Sequence, residues 1–180
     1  AWSAIWLDRD NDGTLEILVA PGDLWAVDEA WDEDGDPWDL APILLQDHDG
    51  AFRDVAAEVG LTTEGSWRTL VAADHNADGV LDLLLTDVVQ RPLLYLSEGC
   101  TDAAWLEIEA TVGSRIEVTA GERTWTGWTT RDSAMGGGRP SVVHLGLGDV
   151  GLVDELRVET PQGEVLRATL FEPRRRIAVD

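Results

Sequence analysis

Short apolar runs separated by polar turns extend along the whole chain. In the first hundred residues each run is bounded by Asp, Gly or Pro, which is typical of short buried strands. From residue 103 onward, apolar and polar residues alternate. Leu106, Ile108, Ala110 and Val112 share one predicted buried face, and the residues between them share the other. The pattern predicts an all-β protein, and no apolar run is long enough for a transmembrane helix.

An internal repeat organises the first half. The segment D-R-D-N-D-G-T-L-E at 8–16 aligns with D-H-N-A-D-G-V-L-D at 74–82, and each copy lies between two apolar runs. This predicts a unit of strand, acidic loop and strand, found twice. A second pair of matching runs, 42–45 and 92–95, follows at unequal distances. The first copy therefore carries an insertion, which we place near 21–41.

Both acidic loops offer oxygen ligands in a spacing that suits calcium. The pattern D-x-[DN]-x-D-G brings carboxylates at alternate positions of a tight turn towards one ion. An EF-hand would place its closing Glu at position 12 of the loop, but that position is Val19 or Leu85, inside a predicted strand. We therefore expect two calcium sites in which the last carboxylate ligand is the ninth residue of the loop. Solvated acidic turns are the alternative. The expected ligands are Asp8, Asp10, Asp12, the Thr14 carbonyl and Glu16, and then Asp74, Asn76, Asp78, the Val80 carbonyl and Asp82.

The insertion at 22–41 carries eight acidic residues, no basic residue and three tryptophans, Trp25, Trp31 and Trp38. Indole rings among carboxylates could stack on sugar rings, so a carbohydrate site is one interpretation. The stretch 32–36 could hold a third cation. The alternative is a surface loop that its indoles attach to the neighbouring sheet.

Charge favours cationic ligands. The chain has 35 acidic residues, 13 basic residues and a net charge of -22. Nucleic acids and anionic membranes bind clustered Lys and Arg, so neither is expected as a partner, and we expect no membrane insertion. The acid is concentrated in the first hundred residues, which predicts one domain over 1–99 and another over 100–180. Cys100 is the only cysteine, which excludes an internal disulfide.

Motifs for catalysis are weak. The segment 146–151 satisfies G-x-G-x-x-G, but a strand-like pattern follows it where a dinucleotide site needs a helix. His48 and His75 occupy variable loop positions, and His144 is expected to be a core residue of a strand. A pair of acids acting as in glycoside hydrolases stays open in so acidic a chain. We expect a non-catalytic protein.

The run 44–61, followed by 74–84, resembles the FG-GAP or VCBS repeat. Such repeats form blades of calcium-bearing β-propellers. The resemblance implies a partial β-propeller over residues 1–99, with further blades upstream. Ala51 and Ala77 depart from it, since repeats of this kind usually have polar residues there.

The segments 143–148, 153–158 and 161–163 resemble the ASPIC/UnbV domain, whose Gly-rich stretch corresponds to 136–139. This domain typically follows VCBS repeats in proteins related to cartilage acidic protein. The resemblance implies a small β-sandwich or barrel-like domain over 100–180. It favours the C-terminal part of a larger extracellular, periplasmic or cell-surface protein: a calcium-binding interaction or adhesion module with a protein or carbohydrate ligand. The alternative is a hydrolase or an accessory enzyme of natural-product biosynthesis, with an acidic site outside the calcium loops.

Overall fold

The computed structural model describes residues 1–22, 41–88, 90–97, 101–131 and 137–179, and of His48 only the backbone. Within these ranges the chain forms fourteen strands in four sheets and one short 3-10 turn, Ala56–Val59. The predicted all-β fold is thereby confirmed. No helix of the described residues has the length and apolar character that crossing a membrane requires. The acidic insertion 23–40 and Cys100 lie outside the described residues.

The first sheet is an antiparallel meander of four strands in chain order, as in a propeller blade. Its strands are β1 Ser3–Leu7, β2 Glu16–Ala20, β3 Ile43–His48 and β4 Ala51–Asp54. The second sheet has the same order with three strands, β5 Trp67–Ala73, β6 Asp82–Asp87 and β7 Leu93–Tyr95. The matching apolar runs at 42–45 and 92–95 provide β3 and β7, so the predicted repeat is confirmed.

The two sheets share one hydrophobic core. Leu18 and Leu44 from the first sheet, and Trp67, Leu70 and Leu85 from the second, are completely buried in one cluster. Neither sheet closes into a ring with the other within the described ranges. The architecture is two neighbouring propeller-type blades.

The remaining strands form two sheets that face each other. One has the order β10-β9-β12-β13, and the other has the order β11-β8-β14, with β14 parallel to β8. A second core, which includes Leu106, Ile108, Ile116 and Val118, fills the space between them. The strands are β8 Ala104–Glu109, β9 Arg115–Ala120, β10 Arg123–Trp128, β11 Val142–Gly148, β12 Val153–Glu159, β13 Val165–Phe171 and β14 Arg175–Ala178.

Two details of β8 differ from the prediction. Val112 is 43% exposed, because the strand ends at Glu109 and the chain turns before Val112 reaches the core. Glu107, expected on a polar outer face, is only 7% exposed. Its carboxylate lies 3.6 Å from His144 Nδ1 and 3.9 Å from Arg176 Nη1, so this face of β8 is covered as well. The predicted boundary at 99/100 falls at residues 98–100, which are outside the described residues.

Candidate metal centre

The first acidic loop connects β1 to β2 and brings three carboxylates together. Oxygens of Asp8, Asp10 and Glu16 all lie within 4.8 Å of one another. Asn11 and Gly13 adopt positive φ angles of 61° and 89°, and these two residues turn the chain tightly enough for the side chains to converge. Calcium binds oxygen at about 2.3–2.6 Å, so an ion between oxygens up to 4.8 Å apart meets that distance.

In each of these carboxylates, one oxygen accepts a hydrogen bond and the other oxygen accepts none. The Gly13 amide donates to Asp8 Oδ2 at 2.9 Å, and the Arg9 amide donates to Glu16 Oε2 at 2.9 Å. Arg9 Nη2 donates to Asp10 Oδ2 at 3.0 Å. The other oxygens, Asp8 Oδ1, Asp10 Oδ1 and Glu16 Oε1, are buried and accept no hydrogen bond. A buried acceptor without a donor costs about 1–3 kcal/mol, and a bound cation would remove that cost at all three atoms.

Burial also changes the acidity of this cluster. Asp8 is 4% exposed and Glu16 is 1% exposed. Loss of solvation raises the pKa of Asp8 to about 6, with the nearby carboxylates of Asp12 and Asp10 adding to the shift and the Gly13 amide opposing it. Burial likewise raises the pKa of Glu16 to about 7. The loop therefore favours either bound protons or a bound cation, because bare charge there is poorly solvated.

Asp12, the fourth predicted carboxylate of the first loop, lies outside this cluster. Asp12 is exposed, and its Oδ1 accepts a hydrogen bond of 2.6 Å from the Thr14 amide. Thr14 is exposed as well. The structure thus brings together three of the four predicted carboxylates, and Asp12 braces the turn.

The second acidic loop connects β5 to β6, and hydrogen bonds within the loop occupy its oxygens. The two oxygens of Asp74 accept from the amides of Asp78 (3.2 Å) and Gly79 (2.8 Å). Asp78 accepts from the Val80 amide at 2.9 Å and from Asn76 Nδ2 at 2.8 Å. Asn76 Oδ1 accepts from the Asp78 amide at 3.1 Å. Asn76 and Asp78 are exposed.

The closing carboxylate of this loop is fully bonded too. Asp82 is completely buried, and its oxygens accept from the amides of His75 and Ser97, each at 2.8 Å. Within the described ranges the three acids of this loop thus do not meet in one group as those of the first loop do, and the second calcium site stays a prediction.

The first loop also lies at the junction between the two halves of the chain. Asn11 is completely buried, and its Nδ2 donates to the Gly79 carbonyl of the second loop at 2.8 Å. Its Oδ1 therefore accepts, and lies 2.7 Å from Nε2 of His144 in β11. The Gly148 amide, also in β11, donates to the Asn11 carbonyl at 2.8 Å. One residue thus joins both acidic loops to the C-terminal sheets.

Glycines allow this close approach. A Cβ on Gly146 would lie 2.0 Å from Asp8 Oδ2, and a Cβ on Gly79 would lie 1.9 Å from Nε1 of Trp105. Strand β11 has a bulge between Gly146 and Gly148, with φ of 65° at Gly148. The G-x-G-x-x-G pattern therefore does not open a dinucleotide-binding helix: its first two glycines lie where β11 approaches the first acidic loop.

Two family comparisons match these two halves. A family model for an FG-GAP-like repeat matches residues 8–85, and one for ASPIC and UnbV matches residues 108–180. The chain thus combines an FG-GAP-like repeat with an ASPIC/UnbV domain. No curated protein matches it in sequence. The first acidic loop thus belongs to the FG-GAP-like repeat, and the strand that covers it belongs to the ASPIC/UnbV domain.

His144 of the ASPIC/UnbV domain has a larger role than the sequence indicated. Its side chain is 7% exposed, as expected for a core residue, but it contacts the FG-GAP-like repeat through Asn11. Trp105 stacks on its ring, with centroids 6.1 Å apart. Sequence reasoning missed Asn11, His144 and Gly146. The available signal was Asn11 itself, a residue type that tolerates positive φ and has an amide able to bond in two directions.

Proposed function

We propose that this chain is a calcium-binding, non-catalytic interaction module that works outside the cytoplasm. We further propose that an ion in the first loop fixes the FG-GAP-like repeat against the ASPIC/UnbV domain. The observation that carries this proposal is a group of three converging carboxylates, each with one buried oxygen that accepts no hydrogen bond.

Calcium suits this site better than magnesium does. Magnesium requires short bonds of about 2.0–2.1 Å in a regular octahedron, whereas calcium accepts longer bonds and irregular sets of oxygens. Three carboxylates on one loop, one of them from the longer Glu16 side chain, form such an irregular set. Sites in extracellular modules bind calcium at about 10⁻⁴–10⁻³ M, and three carboxylates are consistent with that range.

A binding role fits the site better than the enzymatic alternative. Two carboxylates with raised pKa values resemble an acid and base pair, but Asp8 and Glu16 are both buried, and β11 lies against Asp8 through Gly146, so a substrate has little access to them. Within the described ranges, the acids that converge are those of the first loop. This supports a structural ion that stabilises a surface for partners, and a protein or carbohydrate ligand remains our expectation.

Calcium titration by calorimetry tests the proposal. We expect the wild type to bind calcium and Glu16→Gln to lose the tighter site. Glu122→Gln, at an exposed turn, is the matched control and should bind as the wild type does. At calcium a hundred times above its Kd, stabilisation of about 2.7 kcal/mol should raise Tm by roughly 5–10 °C. A wild type that binds no calcium would refute the proposal, as would a Glu16→Gln variant with unchanged titration.

Hydrogen exchange tests the effect at the junction separately. The Gly148 amide donates to Asn11 across the junction, while the Gly163 amide donates to Thr160 within its own turn at 2.9 Å. We expect calcium to slow exchange at Gly148 and to leave Gly163 unchanged. Equal responses at both amides would show a general stabilisation with no specific effect on the junction.

A further inference from the structure

An open cleft of about 1160 Å³ lies in the ASPIC/UnbV domain, beside the ends of β8 and β14. Its lining shares no residue with the two acidic loops. Two arginines, Arg131 and Arg139, lie on its wall. The Arg139 amide donates to the Arg131 carbonyl at 3.0 Å, so the backbones of the two residues lie side by side. Arg139 belongs to the Gly-rich stretch that neither the metal loops nor the junction explains.

The guanidinium of Arg139 has few partners. Its Nη2 lies 3.3 Å from Thr130 Oγ1, and its Nε is buried without an acceptor. Burial lowers the pKa of this group, which shows that its charge is poorly solvated. No carboxylate of the described residues forms an ion pair with it, although six other arginines there have such a partner. Arg139 is thus a partly buried cation without a carboxylate partner among the described residues, in a chain with 35 acidic and 13 basic residues.

Among the described lining residues, the remaining groups leave a positive charge at the arginines and add apolar surface. Its carboxylate among the described residues is Glu109, which Arg176 Nη2 binds at 2.9 Å. Ala110, Pro140 and Val179 add apolar surface. A ligand in the cleft would therefore meet two arginines and several aliphatic groups on its walls.

We propose that this cleft binds a monocarboxylate with an apolar body, its carboxylate on Arg139 and Arg131 and its apolar part along the aliphatic wall. A guanidinium is planar and binds carboxylate oxygens in pairs. A chain with a net charge of -22 repels polyanions at long range, and a singly charged ligand is repelled least. The proposal does not depend on calcium at the first loop.

Titration with sodium hexanoate, followed by ¹H–¹⁵N NMR, tests this site. We expect hexanoate to shift the amide resonances of Ala110, Ser141 and Val179, and hexan-1-ol, which lacks the charge, to shift them little. Arg139→Gln should weaken hexanoate binding about 10- to 100-fold, since a charge-assisted hydrogen bond is lost. Binding of hexanol as tight as that of hexanoate would overturn the proposal. So would a Kd unchanged in Arg139→Gln, or tighter binding of inorganic sulfate.

Two variants separate binding from folding. Arg139→Lys keeps the charge and loses the planar pair of donors, so it should fold normally and bind several-fold more weakly. Arg167→Gln changes an arginine paired with Glu155 outside the cleft, and its Kd should equal that of the wild type. Arg139→Gln should keep or raise Tm, because it removes a poorly solvated charge without a carboxylate partner. A large fall in Tm in both Arg139 variants would assign the residue to folding and overturn the proposal.

Two peptides distinguish a peptide C-terminus from a small free acid as the ligand that carries the carboxylate. N-acetyl-trialanine with a free C-terminus and its amidated form differ only at the terminal group. Tighter binding of the free peptide than of hexanoate indicates a peptide terminus as the source, and the reverse order indicates a small free acid. Equal binding of the two peptides would contradict recognition of the carboxylate.

Discussion

The two acidic loops have nearly the same backbone and very different electrostatic environments. Asn11 and Ala77 both have φ of 61°, and Gly13 and Gly79 have φ of 89° and 88°. The first loop nevertheless has three buried oxygens without donors, while hydrogen bonds occupy the carboxylate oxygens of Asp74, Asp78 and Asp82 in the second. A shared motif therefore sets the course of the chain but not the charge state of the site.

The difference has two local causes. Glu16 is one methylene longer than Asp82, so it accepts from the Arg9 amide with one oxygen and extends the other into the loop. Asp82 accepts from the equivalent His75 amide and also from Ser97, which follows β7. The second cause is the cover: β11 lies against Asp8 and Asn11 of the first loop at Gly146, whereas Gly79 of the second loop lies against Trp105. Side-chain length and cover together make the first loop the stronger candidate for calcium.

Disrupting the contact between β11 and the first loop should have the largest effect on the free energy of unfolding. Gly146→Ala places a Cβ 2.0 Å from Asp8 Oδ2 and 2.4 Å from the Asn11 Cα, so the junction must open or distort. We expect a loss of about 3 kcal/mol in the free energy of unfolding, measured by urea denaturation. Gly151→Ala is the control, since nothing lies within 4 Å of its added Cβ. Equal stability of the two variants would show that β11 does not hold the first loop in place.

In the absence of calcium, replacing the closing carboxylate by an amide should change the stability of the protein differently in the two loops. Asp82→Asn loses an acceptor for a buried backbone amide, so we expect a loss of about 1–3 kcal/mol. Glu16→Gln keeps an acceptor for the Arg9 amide and removes a poorly solvated charge, so we expect unchanged or greater stability. Thermal unfolding of both variants in metal-free buffer measures the contrast. A loss in Glu16→Gln as large as that in Asp82→Asn would mean that the loops are equivalent after all.

The pH dependence of the metal-free protein should identify the first loop. The pKa values of Asp8 and Glu16 rise to about 6 and about 7 on folding, from ordinary values of 3.8 and 4.5. The folded state then holds more protons than the unfolded state, so these groups lower stability as pH rises from about 4 to about 7. We expect Tm to fall by a few degrees over that window and the fall to be smaller in Glu16→Gln. Saturating calcium should remove it. If the fall in Tm is the same in Glu16→Gln as in the wild type, titratable groups outside the first loop cause it.

The smallest expected effect concerns the turn of the second loop. Ala77 holds a positive φ that alanine adopts poorly, while the matching residue of the first loop is an asparagine. Ala77→Asn should therefore stabilise the protein by about 0.5–1 kcal/mol, measured by urea denaturation. Ala57→Asn, an exposed site with ordinary φ, is the control and should show no gain. A loss in Ala77→Asn would mean that backbone strain does not limit this loop.

The sequence predicted the fold well because its strongest signals are local. The repeated acidic segment and its apolar neighbours correspond to β1 and β2 and to β5 and β6, and the run at 153–158 lies within β12. Alternation failed at Val112, since the period of two does not show where a strand ends.

The candidate site was predicted only in part because its properties depend on contacts between distant residues. Asp8, Asp10 and Glu16 were expected as ligands, and the structure brings them together. The bonding of Asp82 to Ser97 and the cover of Asp8 by Gly146 join residues 15 and 138 positions apart. No local pattern indicates which loop will lose its solvent, so the two copies looked alike in the sequence.

The bulge in β11 has a consequence for how such proteins can be recombined. Gly146 belongs to the ASPIC/UnbV domain, yet its lack of a side chain leaves the space that Asp8 of the FG-GAP-like repeat occupies. The two domains are therefore not interchangeable parts. Consider a hybrid that joins this repeat to an ASPIC/UnbV domain with a larger residue at that position. Each half would fold, but the two halves could not pack against each other as they do here. The repeat and the ASPIC/UnbV domain that contacts it must therefore be exchanged together.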